Sequence, residues 1–235
     1  MKKATKLLLA LVAVAAAIAA GIGIYIASPL LAMRPAKTGE IPGTGIYAIR
    51  NNRNALYFVK AEGGYILIDA GSDAAKAEAS LKEAGIAPED VKWILLTHSD
   101  YDHVAALPLF PGAEIYMSDD EFHSLGRPPR NNRLPAGITI EENNLLSDGQ
   151  ELNLGGIRVI CFKAPGHTVG SMAYLMEDCL FTGDALRLRK QEMLVHPFTV
   201  DAARAEATIE RLKEMPHSVL LTAHYGYTTT NESGD

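Results

Sequence analysis

The sequence predicts an α+β domain in which two β-sheets pack face to face and helices cover their outer faces. Short apolar or alternating runs recur along the chain, several parted only by Asn- or Gly-rich turns, the mark of antiparallel strands. Capped helical stretches fall between other strands, which argues against both an all-β barrel and an all-parallel sheet. With 48% apolar and 21% charged residues in 235, the composition is that of a folded globular protein.

The first 33 residues hold Lys2, Lys3 and Lys6, no acid, and an uncharged apolar run over 7–33. A secretory signal has a core of about 7–15 apolar residues and a membrane span about 20. The run over 7–26 favours a retained signal anchor over a cleaved signal peptide, with an Ala-x-Ala-like site at 17–19. Both readings place the rest of the chain outside the cytoplasm, anchored to the membrane or secreted. Residues 34–44, with Pro35, Gly39, Pro42 and Gly43, read as a linker, and 45–235 as the folded domain.

Strands are expected at 46–50, 56–60 and 65–69, followed by a helix that Ser72 or Asp73 caps and Gly85 stops. A buried strand over 91–96 runs into Thr97-His98. Short helices suit 103–110 and 118–125, with a strand over 114–117 between them. A polar loop rich in Arg and Pro spans 126–135. Strands follow at 138–140, 151–154, 158–163, 172–176 and 179–182. An amphipathic helix carries Ala202, Ala205, Ile209 and Leu212 on one stripe, and 219–222 forms a last strand.

The chemistry concentrates at strand ends. His98-Ser99-Asp100-Tyr101-Asp102-His103 sets four potential metal ligands within six positions after a buried strand. Gathering two carboxylates and two imidazoles there is unfavourable unless a cation joins them. Three further strands end in Pro165-Gly166-His167, Gly183-Asp184 and Ala223-His224, each delivering one ligand-type residue beside a small one. Together these residues predict a two-metal site. The acidic balance, 28 Asp+Glu against 22 Lys+Arg, suits no nucleic acid.

These motifs resemble those of the metallo-β-lactamase-fold hydrolase superfamily, over about 45–226. Its His-x-His-x-Asp-His motif stands here as His98 to His103 with Asp100 in place of the second histidine, and Ile68-Asp69-Ala70-Gly71 resembles its early Asp-x-Gly turn. The resemblance implies a four-layer αβ/βα sandwich. It implies one metal on His98, Asp100 and His167, a second on Asp102, His103 and His224, Asp184 bridging them, and Asp69 supporting the site from behind. Two divalent cations are expected, zinc first, with iron or manganese as alternatives because Asp100 hardens the first position; that substitution also leaves open whether both positions fill. Two cations sharing a water lower its pKa toward 7, making hydroxide available with Asp102 orienting it.

The function so implied is a metal-dependent hydrolase of a small ester, lactone or related acyl substrate. It is not a true β-lactamase, since the best-known class has Cys where Asp184 stands. A non-haem iron oxidoreductase on the same fold and a non-catalytic metal-binding protein are the alternatives. Arg187 is a candidate for an anionic substrate group and Tyr225 for lining the cleft or donating to a developing oxyanion. His123, His196 and His217 match no ligand motif and read as surface or packing residues. Cys161 and Cys179 flank strand 172–176, about 9–10 Å apart, too far for a disulfide.

Overall fold

The computed structural model describes residues 29–229, and the chain divides into two units, Met1–Met33 and Arg34–Asp235. The apolar run read as an anchor or signal lies largely outside the described residues; among those described, no helix is long and apolar enough to cross a membrane.

In the second unit, seven strands form one sheet in sequential order: β1 (Gly39–Ile41), β2 (Ile46–Asn51), β3 (Asn54–Ala61), β4 (Gly64–Ile68), β5 (Val91–Leu95), β6 (Glu114–Ser118) and β7 (Leu145–Leu146). The other sheet comprises β8 (Glu151–Leu154), β9 (Ile157–Lys163), β10 (Met172–Met176), β11 (Cys179–Phe181), β14 (Val219–Leu221) and β15 (Tyr227–Thr229), with β15 and β8 at its edges. A small hairpin, β12 (Arg187–Arg189) with β13 (Glu192–Leu194), stands apart.

Strand alternation builds the layers. Tyr57 on β3, Ile66 and Ile68 on β4 and Leu95 on β5 face Val159, Cys161, Tyr174 and Phe181 of the other sheet in one shared core. Their neighbours Leu56, Phe58, Leu67 and Ile94 point the opposite way, onto Ala77 and Leu81 of helix α1 (Ala74–Ala84). On the far side, Ala173, Leu175 and Leu180 pack against Ile209 and Leu212 of helix α4 (Ala202–Lys213). A period of two with both faces apolar is what a doubly covered sheet requires. The order α/β/β/α is the sandwich the sequence predicts.

Helix α1 begins where Asp73 accepts from the Lys76 N–H and ends at Gly85 in the left-handed region, as its capping residues anticipate. Other elements differ from expectation. Part of the presumed linker is edge strand β1, with Ala36 and Ile41 in the core. Residues 138–140 form no strand; Ile138 and Ile140 plug the core from a loop. The expected helix over 103–110 is a four-residue helix α2 (Tyr101–Val104) and a separate 3-10 turn at Leu107–Leu109, with Pro108, which has no N–H to continue a helix, inside the turn. The expected helix over 118–125 is α3 (Asp119–Ser124), capped by the Ser118 hydroxyl.

Cys161 and Cys179 are free and buried, opposite Tyr174 and Met176 across the intervening β10. Burial pushes both thiols up to about 12, so thiolate is scarce at pH 8. A disulfide reagent at that pH is expected to label neither cysteine in the native protein and both after denaturation; rapid native labelling would contradict their burial.

Candidate metal centre

The site lies where β4, β5, β9, β11 and β14 reach their C-terminal ends along one edge of the two sheets. The pairing makes this a common edge: β4 and β5 are parallel, β11 and β14 are parallel, and β10 separates β9 from β11 by two antiparallel steps. Hydrogen bonds knit the ends together across the sheets: Met172 N–H to Thr97 O at 2.8 Å, Tyr174 OH to Leu96 O at 2.5 Å, and Tyr57 OH to Thr222 O at 2.7 Å.

Residues far apart in sequence therefore converge on one atom. Asp184 Oδ2 lies 3.9 Å from His98 Nε2, 3.7 Å from His103 Nε2, 3.4 Å from His167 Nε2, 3.7 Å from His196 Nε2 and 3.2 Å from His224 Nε2. Five buried imidazoles thus surround a single buried carboxylate. Asp102, half-exposed, reaches His224 Nε2 at 3.4 Å and His103 Nε2 at 3.9 Å. His98, His167 and Asp184 form one group of close donors, Asp102, His103 and His224 a second, and Asp184, His196 and His224 a third.

Outer contacts aim several of these rings. Thr97 Oγ1 donates to Asp69 Oδ2 at 2.7 Å and so is left to accept from His98 Nδ1, 3.0 Å away. His103 Nδ1 donates to Asp69 Oδ2 at 2.8 Å, and His224 Nδ1 to the Arg53 carbonyl at 2.6 Å. Each contact puts the proton on Nδ1 and turns the Nε2 lone pair toward the centre. Asp69 also accepts the Thr97 N–H at 2.8 Å. It does so from a left-handed backbone, φ 57°, strain held in place by these three bonds. Gly183, φ 51°, precedes Asp184 because a Cβ there would run into the Thr97 side chain.

The electrostatics follow from the crowding. Burial opposes ionisation of Asp184, but His224, His196 and His103 around it overcome that and hold its carboxyl well below the usual range. Burial likewise works against a charged His103, yet Asp69, Asp184 and Asp102 raise its pKa well above the ordinary value. His196 is pushed down to about 3 by burial, against the pull of Asp184, and stays neutral.

Asp100 sits differently. Its Oδ2 is 3.1 Å from His167 Nε2 and 3.6 Å from His98 Nε2, but also accepts from Arg130 Nη1 at 2.7 Å; its Oδ1 accepts from Asn132 Nδ2 at 2.6 Å. Arg130 donates as well to the carbonyls of His167 at 3.1 Å and Phe198 at 2.5 Å, tying loop 126–135 over the site. The carboxylate standing where the family has an imidazole is thus paired with a guanidinium that sequence spacing did not reveal.

Glu121 of α3 is a second residue without a sequence signal. Fully buried, it accepts the Ser99 N–H at 2.9 Å and hydroxyl at 2.6 Å, the Thr168 hydroxyl at 2.7 Å and the Gly170 N–H at 3.1 Å, joining the His98 and His167 loops. Glu121→Ala would leave two backbone donors buried without acceptors, at about 1–3 kcal/mol each. A loss of about 3 kcal/mol in urea unfolding is expected; a change under about 1 kcal/mol would show that water replaces the carboxylate.

His196, read as a packing residue, is instead in the ring around Asp184. It comes after β13 in a segment without any family motif, so only its proximity in the fold exposes it. His123 is exposed and His217 bonds the Met215 carbonyl, away from the cluster. Tyr225 packs on the His196 and His224 rings at 5.7 and 6.4 Å between centroids, its buried hydroxyl unpaired among the described residues, as is Arg187 Nε.

The donor set fits divalent cations. Among the described residues, His98 Nε2, His103 Nε2 and Asp184 Oδ1 are buried with no hydrogen-bond partner, an arrangement unfavourable for a protein unless cations complete it.

Comparison with known proteins agrees with this geometry. The profile of the metallo-beta-lactamase superfamily matches residues 51–224, and the chain belongs to that superfamily. Its fold is that of the superfamily. It is 29% identical to a hydroxyacylglutathione hydrolase of Aeromonas hydrophila over 184 residues, covering 77% of this chain and 64% of that protein. It is 34% identical to a probable polyketide biosynthesis zinc-dependent hydrolase of Bacillus subtilis over 126 residues, 52% of this chain and 49% of that one. These matches span less than two thirds of either relative's length. A subclass B3 metallo-beta-lactamase of Bradyrhizobium japonicum shares the fold, with TM-score 0.64 at 21% identity over 82% of this chain and 80% of that one.

Proposed function

We propose that this protein is a metal-dependent hydrolase of small esters, lactones or related acyl compounds, holding two divalent cations with zinc the preferred metal. One observation carries the reading: five buried imidazoles converge on Asp184, and the half-exposed carboxylate of Asp102 lies against two of them, His103 and His224, which no purely structural role accounts for. His98 and His167, with Asp100 alongside, would hold one cation, and Asp102, His103 and His224 the other, Asp184 serving both. Cations held there supply Lewis acidity and bring the pKa of water toward neutrality. Imidazole nitrogens outnumber carboxylate oxygens in this set, and Asp100 shares its charge with Arg130, which together favour zinc over iron or manganese.

The chain's own groups divide the remaining work. Asp102, at the mouth, accepts a proton from the attacking water as its oxygen bonds the acyl carbon. It returns that proton to the leaving atom as the old acyl bond breaks, so water is consumed and an acid and an alcohol, thiol or amine result. Tyr101, Val169 and Phe198, exposed apolar neighbours of Asp102, His167 and His196, suit an apolar acyl portion. Beside them a cleft of about 150 Å³, lined by Pro129, Val169, Val200, Arg127 and an Arg204–Asp201 pair, has room for a small group, with the Arg127 guanidinium on its wall to meet a negative charge. Arg187 and Tyr225 are a second candidate contact for such a group. A relative named for hydrolysing hydroxyacylglutathione supports an acyl substrate.

The test is elemental analysis of the purified protein, then p-nitrophenyl esters, lactones, thioesters and β-lactams assayed with the metal found. Close to two equivalents of zinc and turnover of an acyl ester are expected, lost together on chelation. Metal with oxygen consumption and no hydrolysis, or metal without any turnover, would overturn the reading. The leader, read from its lysines and apolar run, leads us to propose an extracytoplasmic location, which fractionation of expressing cells tests.

A further inference from the structure

The five imidazoles around Asp184 differ in what stands behind them. His98, His103 and His224 each have an acceptor at Nδ1: a hydroxyl oxygen already donating elsewhere, a carboxylate and a carbonyl. An acceptor there fixes the proton on Nδ1 and frees Nε2 to give a lone pair. His196 is the reverse. Its Nδ1 faces a donor, the Phe198 backbone N–H at 3.4 Å. That contact places the lone pair on Nδ1 and the proton on Nε2. The Nε2 atom is buried, has no hydrogen-bond partner among the described residues and lies 3.7 Å from Asp184 Oδ2.

The ring is also held in orientation. His167, Phe198, Tyr225 and His224 surround it at centroid distances of 4.7, 5.7, 5.7 and 5.8 Å, the first three edge-on. Grouped by distance with Asp184 and His224, it stands between His167 and His224, which also belong to the other two donor groups, on the side that continues into exposed Phe198. A buried N–H so fixed and left unpaired is unfavourable in the resting protein and favourable once an anionic oxygen arrives.

We propose that His196 is a catalytic hydrogen-bond donor rather than a metal ligand, its Nε2–H serving the oxygen that becomes negative as water adds to the substrate carbonyl. This role rests on the acyl-hydrolase function proposed for the site. His196 keeps its proton throughout: the electron pair of the carbonyl moves onto oxygen, His196 hydrogen-bonds that oxygen, and the pair returns as the leaving group departs. The proton from water travels through Asp102. Because the residue comes directly after the hairpin β12–β13, that small ribbon acquires a purpose: it carries the donor to the rim of the site.

Two measurements on the full chain decide the matter. Two-bond ¹H–¹⁵N spectra of histidine-labelled protein, with the His196 signal assigned by its loss in His196→Gln, report the tautomer without reference to activity. The Nε2–H form is expected, and the Nδ1–H form overturns the proposal. Zinc-loaded His196→Ala is then compared with wild type on p-nitrophenyl acetate. Zinc content equal to wild type is expected, with kcat lower by about 10²–10³-fold, KM little changed, and partial recovery in His196→Gln, whose amide also donates. Loss of a zinc equivalent in His196→Ala, or an unchanged kcat, overturns the proposal while leaving the hydrolase reading intact. Wild-type protein that binds zinc but turns over no acyl substrate overturns the hydrolase reading, and the donor role with it.

Discussion

Asp184→Asn is expected to give a folded protein that has lost its chemistry. Among the described residues the carboxylate makes no hydrogen bond to the backbone, and five imidazole nitrogens lie within 3.9 Å of one of its oxygens. An amide has nearly the same shape and no charge to share between two cations. At least one metal equivalent should be lost, and turnover of p-nitrophenyl acetate should fall by about 10³-fold or more, about 4 kcal/mol of barrier. The metal-free variant should melt below metal-free wild type, because the carboxylate removed is one that His224, His196 and His103 stabilise in its ionised form. Elemental analysis, steady-state rates and calorimetry check the three parts separately. Retained activity would mean that Asp184 is a bystander.

Asp69→Asn is expected to act from behind the site. Asparagine tolerates the left-handed backbone at φ 57°, so the turn itself survives. Its carbonyl oxygen can still take the Thr97 N–H, but its amide meets the Thr97 hydroxyl and His103 Nδ1 with a donor where an acceptor stood. His103 then gains from moving its proton to Nε2, the atom that should offer a lone pair. Metal affinity should drop by about 10–100-fold, read by competition with a chromophoric chelator. The metal-free protein should lose about 2 kcal/mol in urea unfolding, the cost of mismatched buried polar groups. Equal affinity in the two proteins would show that Asp69 only shapes the turn.

Most of the sandwich could be read from periodicity because both faces of each central strand are buried and leave long apolar runs. Helix α1 was legible at its ends, the N-cap to within Ser72 or Asp73 and the stop at Gly85, since those positions have local chemical requirements. The elements that escaped were decided by tertiary partners. Strand β1 has three residues and gains its identity only by pairing with β2. Ile138 and Ile140 carry an alternating pattern but find a core to plug rather than a strand to join.

The same division holds at the site. His98, Asp102, His103, His167, Asp184 and His224 sit in motifs just past strands, and strands carry the residues at their ends to one edge. Arg130 and Asn132 lie in an irregular loop, Glu121 on a one-and-a-half-turn helix, and His196 after a ribbon no pattern marked. Their roles come from where the chain crosses over itself. The pairing of Asp100 with Arg130 is the clearest instance: the sequence shows a carboxylate in a histidine's place, and only the fold shows what neutralises it.

The most direct measurement is an anomalous scattering map from crystals of the protein grown with zinc. Two peaks are expected on either side of Asp184, one within coordination distance of His98 and His167, the other within reach of Asp102, His103 and His224. A map with no peak near Asp184, or with His167 or His224 turned away from any bound zinc, would contradict the convergent two-cation site.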